Sequence, residues 1–205
     1  MGRKKRIHYP GIIFHAMDRG NHGDPIFRDQ RDYDHFLELL AEAKTVIPFQ
    51  LYAYALMPNH WHLLIKAGLV PISRVLHRVQ SKYAKWFNAR YQLTGHLFQR
   101  RYHAIHINTD AYLLGAIRYI HLNPVKANLV SDPADWRWSG HAELQGKNQN
   151  HLLDFSMPLS IFSQDAERAC ERYEKFLSEM ALRRGRPKLS RPQIWKVLPT
   201  AVLTK

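Results

Sequence analysis

Seven segments of changing hydrophobic period fill residues 11–123, and their order constrains the fold more than anything else in the chain. Residues 11–18 read as a strand that runs into a Gly/Asn/Pro-rich turn over residues 19–25. Asp29 is placed to cap a helix over residues 30–46, with Tyr33, Phe36, Leu37, Leu40 and Ala43 as its apolar stripe. Residues 50–56 alternate as a strand, Met57-Pro58-Asn59 supplies a turn, and residues 60–66 alternate again, which predicts a hairpin. Residues 73–91 form a second helix that turns Val75, Leu76, Val79, Tyr83, Trp86 and Phe87 inward. A fourth strand fits residues 102–108. Thr109 or Asp110 then caps a third helix that must end near Asn123, because Pro124 disfavours helical geometry in the residue before it.

That order predicts an α+β fold of ferredoxin-like type: a four-stranded, mainly antiparallel sheet with the helices packed on one side of it. Residues 131–163 read as an irregular wrap, followed by a C-terminal extension with an amphipathic helix over about residues 165–182 and a basic tail over 183–205. The chain has 205 residues, ample for a real core. No run approaches the roughly 18 apolar residues of a membrane span. The basic start leads into no apolar signal core, and the single cysteine, Cys170, excludes an internal disulfide. The expectation is a soluble, cytoplasmic protein with no membrane partner.

The net charge is +13, and its placement is more informative than its size. Residues 1–42 balance, residues 43–109 carry nine bases and no acid, and residues 110–205 carry a net +4. An acid-free stretch that is also rich in Tyr, Trp, Phe and His suits a phosphate backbone and unstacked bases. Solubility alone requires no such segregation of sign. Within it, Arg74, Arg78, Lys82 and Lys85 recur as a basic stripe on the second helix, and Gln99, Arg100 and Arg101 are further candidate DNA contacts. Arg184-Gly-Arg-Pro-Lys188 resembles the Gly-Arg-Pro core of minor-groove segments, with Arg184 and Arg186 as its arginines; a plain polycationic tail is the other reading.

Two short motifs carry chemistry. On a strand, His60 and His62 share one face about 7 Å apart, close enough to ligate one cation or, equally, to be two polar residues facing water. Tyr119 and Asn123 fall one helical turn apart on one face. Two imidazoles and an amide oxygen make a three-ligand site with open positions, and a tyrosine one turn from the amide stands beside it. A phenol ordinarily ionises near pH 10, and a divalent cation favours the phenolate. His121 turns away from this pair and reads as structural or DNA-facing; Tyr102, after Arg100-Arg101, is a rival nucleophile, but with no ligand one turn away it reads as a packing or base-stacking residue.

The segments Gly11-Ile-Ile-Phe-His-Ala-Met-Asp-Arg-Gly-Asn21, Leu56-Met-Pro-Asn-His-Trp-His-Leu-Leu64, Gly95-His-Leu-Phe-Gln-Arg-Arg-Tyr102, Arg118-Tyr-Ile-His-Leu-Asn-Pro-Val-Lys126 and Trp136-Arg-Trp-Ser139 together resemble the REP-associated tyrosine transposases, single-tyrosine His-hydrophobe-His endonucleases. The resemblance covers residues 7–146 as a catalytic domain and leaves 147–205 as the C-terminal extension. It implies a metal-dependent endonuclease and strand transferase that cuts single-stranded or hairpin DNA through a 5′-phosphotyrosine. It also implies Tyr119 as nucleophile, and His60, His62 and Asn123 as ligands of Mg2+ or Mn2+. Such a protein is bacterial and nucleoid-associated, as monomer or homodimer. The competing expectation is a hairpin DNA-binding protein that organises or represses repeats without cutting them.

Overall fold

The computed structural model describes residues 8–181. β1 (Ile13–Arg19), α1 (Gln30–Val46), β2 (Phe49–Met57), β3 (His60–Ala67), α2 (Ile72–Tyr91), β4 (His103–Ile107) and α3 (Asp110–His121) follow in the expected order. The strands form one sheet in the order β2-β3-β1-β4, with every neighbouring pair antiparallel. The chain is thus α+β with ferredoxin-like topology. Local chemistry sets the helix starts: Asp29 and Asp32 exchange side-chain and backbone hydrogen bonds as a capping box, and Thr109 accepts from the Tyr112 amide.

The helices do not all lie on one side of the sheet, as the sequence led us to expect. α1 and α2 cover one face, where Phe14, Ala16, Leu51, Tyr54, Leu56, Trp61, Leu63 and Ile65 make a dry core. α3 covers the other, setting Leu113, Ala116, Ile117 and Ile120 on Tyr52, Ala53, Ala55 and Leu64. The physical reason is that the α3 stripe needs an apolar partner, and the small Ala53 and Ala55 let a helix approach the sheet there. α7 (Ala166–Ala181) adds Ala169, Tyr173, Phe176 and Leu177 to the same second core, so the described part of the C-terminal extension is packed into the molecule rather than appended to it.

A bulge in β2 reconciles the two faces. Leu51 pairs with Ile65 and Ala53 with Leu64, so Tyr52 is the extra residue, and Tyr52 and Ala53 both join the α3 core. Residues 131–163 run along the outer edge of β2, where the Leu56 amide donates to the Trp138 carbonyl and the Asp154 amide to that of Leu51. That cover closes the edge to strand addition. The stretch includes the short helices α5 (Gly140–Leu144) and α6 (Ser156–Ser160). α3 stops at His121, Leu122 kinks, and a separate one-turn helix α4 (Asn123–Lys126) starts with Pro124 in its first turn, where a missing amide proton costs nothing.

Candidate active site

The β2–β3 turn is held by the turn after β1. The Gly20 amide donates to the Asn59 carbonyl, the Ile26 and Phe27 amides donate to that of Pro58, and Asn59 Nδ2 donates to the Gly23 carbonyl. Position 20 must be glycine here, since a Cβ would lie 2.0 Å from the Asp24 carbonyl oxygen. The Arg-Gly-Asn and Pro-Asn-His segments, forty residues apart in sequence, are therefore two halves of one structure at the start of β3.

β3 then directs His60 and His62 to the α3 side and Trp61 to the other core. His15 of β1 lies opposite Leu64 and so is the diagonal neighbour of His62. His15 Nε2 and His62 Nδ1 are 3.0 Å apart, and His60 Nδ1 is 2.7 Å from Asn59 Oδ1. An amide oxygen only accepts, so His60 carries its proton on Nδ1 and keeps a lone pair on Nε2. His15 Nε2 and His62 Nδ1 share one proton, and whichever ring donates, the contact holds the His62 ring by its Nδ1 side. Burial pushes His60 and His15 down to about 4, assisted by the charges of Arg19 and His103 respectively, and holds His62 well below the usual imidazole range. All three rings are neutral at pH 7, the state a metal ligand requires.

Tyr119 closes the cavity from α3. Its ring centroid lies 5.5 Å from that of His62 and 5.9 Å from that of His15, edge to face in both cases. The Lys126 ammonium sits 4.8 Å from the Tyr119 ring centroid. Although Lys126 as a residue is exposed, desolvation and the nearby Arg118 charge lower its pKa to about 8, which leaves it mainly protonated at pH 7. The cavity holds about 570 Å³ and is also lined by Asp18, Arg19, Asn59, Arg100 and His103. Burial raises the Asp18 carboxyl, against the hydrogen bond it accepts from Gln80 of α2 at 2.6 Å.

The structure thus gathers His60, His62 and Tyr119 on one cavity, with Arg100 at its wall. Asn123 does not line that cavity: the kink at Leu122 breaks the helical phase on which a one-turn spacing from Tyr119 depends. Its Nδ2 is buried without a hydrogen-bond partner, so no bond opposes turning the amide oxygen inward. The His60 and His62 rings lie 5.0 Å apart, centroid to centroid, and two neutral imidazoles are a donor set that suits a divalent cation.

The basic stripe is also altered. Arg78 and Lys82 both bind Glu42 of α1, at 2.7 Å, while Arg74 and Lys85 are exposed on the sheet face away from the histidines. A sequence with no acids between residues 43 and 109 still meets acids in space, because α1 lies alongside α2. Gln99 and Arg101 are exposed beside Arg100. Arg184 and Arg186 lie outside the described residues. Tyr102 is buried in the first core, and His121 is fully buried, facing Tyr173. The sequence reading missed His15, whose signal was a histidine of the right strand parity, and Lys126, whose approach depends on the α4 turn.

No helix among the described residues is long and apolar enough to cross a membrane. No curated protein matches the chain. Among solved structures, a REP-associated tyrosine transposase bound to a REP hairpin is 23% identical with a TM-score of 0.56, covering 76% of this chain and 96% of that one. That likeness shows the fold. A protein assigned as a transposase from Deinococcus radiodurans is 17% identical with a TM-score of 0.41, over 55% of this chain and 91% of that one. The family described as "Transposase IS200 like" matches residues 9–123, more than half the chain and a span that contains both histidines, the cavity and Tyr119. By that match the protein belongs to the IS200-like transposases.

Proposed function

We propose that the protein is a metal-dependent endonuclease and strand transferase for single-stranded DNA folded as hairpins, with Tyr119 as its nucleophile. One observation supports the reading: two neutral imidazoles, each with its Nδ1 occupied by a neighbour, share one cavity rimmed by arginines, and Tyr119 meets the His62 ring edge to face. A structural histidine pair needs no such arrangement. The hairpin substrate is drawn from the REP-bound structural relative.

His60 and His62 would hold Mg2+ or Mn2+ through Nε2, with the Asn123 amide as third ligand. Imidazole donors favour manganese, and abundance favours magnesium. Bound there, the ion supplies Lewis-acid stabilisation of the charge that develops on the phosphate. The chain's own groups do the rest. Lys126 holds its positive charge over the Tyr119 ring, beside the reacting phosphate. Tyr119 Oη attacks phosphorus, the bond to the 3′-oxygen breaks, and that oxygen leaves as a hydroxyl after taking a proton. The 5′-phosphotyrosine keeps the ester bond, so a second 3′-hydroxyl can reverse the step. Arg19 and Arg100 place positive charge where the phosphodiester enters. His15 fixes the ring orientation of His62.

The test is incubation of the full chain with end-labelled hairpin DNA and manganese, read as a covalent adduct on a denaturing gel. The parent protein forms the adduct, and Tyr119→Phe does not while keeping its hairpin affinity. Tight binding without any adduct from the parent would instead establish a non-cleaving hairpin binder.

A further inference from the structure

The segment that positions Tyr119 lies outside the residues matched by the family. Tyr119 stands in the last turn of α3, which ends two residues later at His121 and is followed, after Leu122, only by the one-turn α4. Its flanking residues, Arg118 and His121, are polar yet almost wholly buried, and both point at α7. The Arg118 guanidinium lies 4.1 Å over the Phe176 ring and donates to the Phe176 carbonyl at 3.3 Å. His121 Nδ1 is 2.7 Å from the Tyr173 hydroxyl, and the same hydroxyl is 3.0 Å from His141 Nδ1 of α5.

A hydroxyl has one proton to give and lone pairs to accept with. Tyr173 therefore donates to one imidazole and accepts from the other, which fixes two complementary tautomers and locks three elements together. Packing alone does not require this, since apolar residues at positions 118 and 121 would fill the same space without burying polar groups. α5 approaches closely as well: a Cβ at Gly140 would lie 3.1 Å from His121 Nε2 and 3.0 Å from Leu153 Cδ1, the flexible end of a side chain that can give way.

We propose that α7 is a positioning clamp for Tyr119, acting through Tyr173 on His121 and through Phe176 on Arg118, so that the C-terminal extension is a working part of the catalytic unit. This rests on Tyr119 being the nucleophile, but the hold on α3 can be measured without any chemistry. Tyr173→Phe removes one oxygen and leaves the ring in place. A control, Phe36→Leu in the α1 core, is compared at conditions of matched stability loss.

Two measurements on the full chain decide the matter: hydrogen exchange of residues 110–121, and the single-turnover adduct rate with hairpin DNA and manganese. In Tyr173→Phe, exchange in α3 rises about tenfold above the control and the adduct rate falls about tenfold, with hairpin affinity within about twofold. Gly140→Ala, which presses on His121 from the other side, lowers the adduct rate in the same way and serves if Tyr173→Phe folds poorly. α3 exchange and adduct rates equal to those of the control would overturn the clamp. A parent protein that forms no adduct would remove the nucleophile reading alone, and α3 exchange would still decide whether α7 holds the helix.

Discussion

On one side of β3, Trp61, Leu63 and Ile65 are fully buried against α1 and α2; on the other, His60 and His62 face a cavity roofed by α3. The first face is filled by stacked and edge-on aromatic rings, such as Phe36, Tyr83 and Phe27, whose value lies in packing. The second leaves a void and accepts the buried imidazoles of His15 and His62. A single strand of alternating residues thus separates stability from reactivity by parity alone. Substitutions one residue apart should affect quite different properties.

The largest effect tests that separation directly. His62→Ala should remove adduct formation below detection, as should a chelator added to the parent, while the thermal midpoint moves far less than in Leu63→Ala. Leu63→Ala should lose about 2–5 kcal/mol of stability and, in the fraction that stays folded, keep its adduct rate. If Leu63→Ala lost chemistry as completely as His62→Ala, the two faces would not be independent.

Acid should unfold the protein from the histidine side. The folded-state values of His15, His60 and His141 lie near 4, below the ordinary imidazole value, because burial disfavours the charged ring. The unfolded chain therefore binds more protons between about pH 6.5 and 4. Stability is complete above that window and is lost as pH falls through it. Denaturant titrations at pH 7, 5.5 and 4.5 should show this decline, and His141→Gln should make it shallower while His15 and His60 maintain the rest. A parent curve that stays level across the window would refute the neutral buried state.

The smallest effects are electrostatic. Arg100→Gln and Arg101→Gln should each lower the slope of log hairpin affinity against log salt by about 0.7–0.9, the value for one phosphate contact. Arg78→Gln should change it less, because its guanidinium already faces Glu42. Equal slopes for all three variants would return the basic stripe to the DNA surface.

What the sequence revealed follows the range of each interaction. The Asp29 and Thr109 caps are local and were legible, as was the shared face of His60 and His62, which strand geometry dictates. The covering of that face by α3 was not, because helical periodicity tells which side of a helix is apolar but not which side of a sheet it meets. His15 needed the β1–β3 register before it could be placed beside His62. Arg78 and Lys82 looked free because their partner, Glu42, is distant in sequence and adjacent only once α1 lies beside α2. Asn123 was expected one turn from Tyr119 on a single helix, whereas Leu122 separates α3 from α4 between them.

The bulge at Tyr52 has a consequence for how the chain tolerates changes in length. Elsewhere in a strand, losing one residue turns every following side chain to the opposite face. At position 52 the reverse holds, because Leu51 and Ala53 already point to opposite sides. Removing Tyr52 would restore regular alternation and keep Phe49, Leu51, Tyr54 and Leu56 where they are. The hairpin that carries the histidines can therefore shorten by one residue upstream without disturbing their direction.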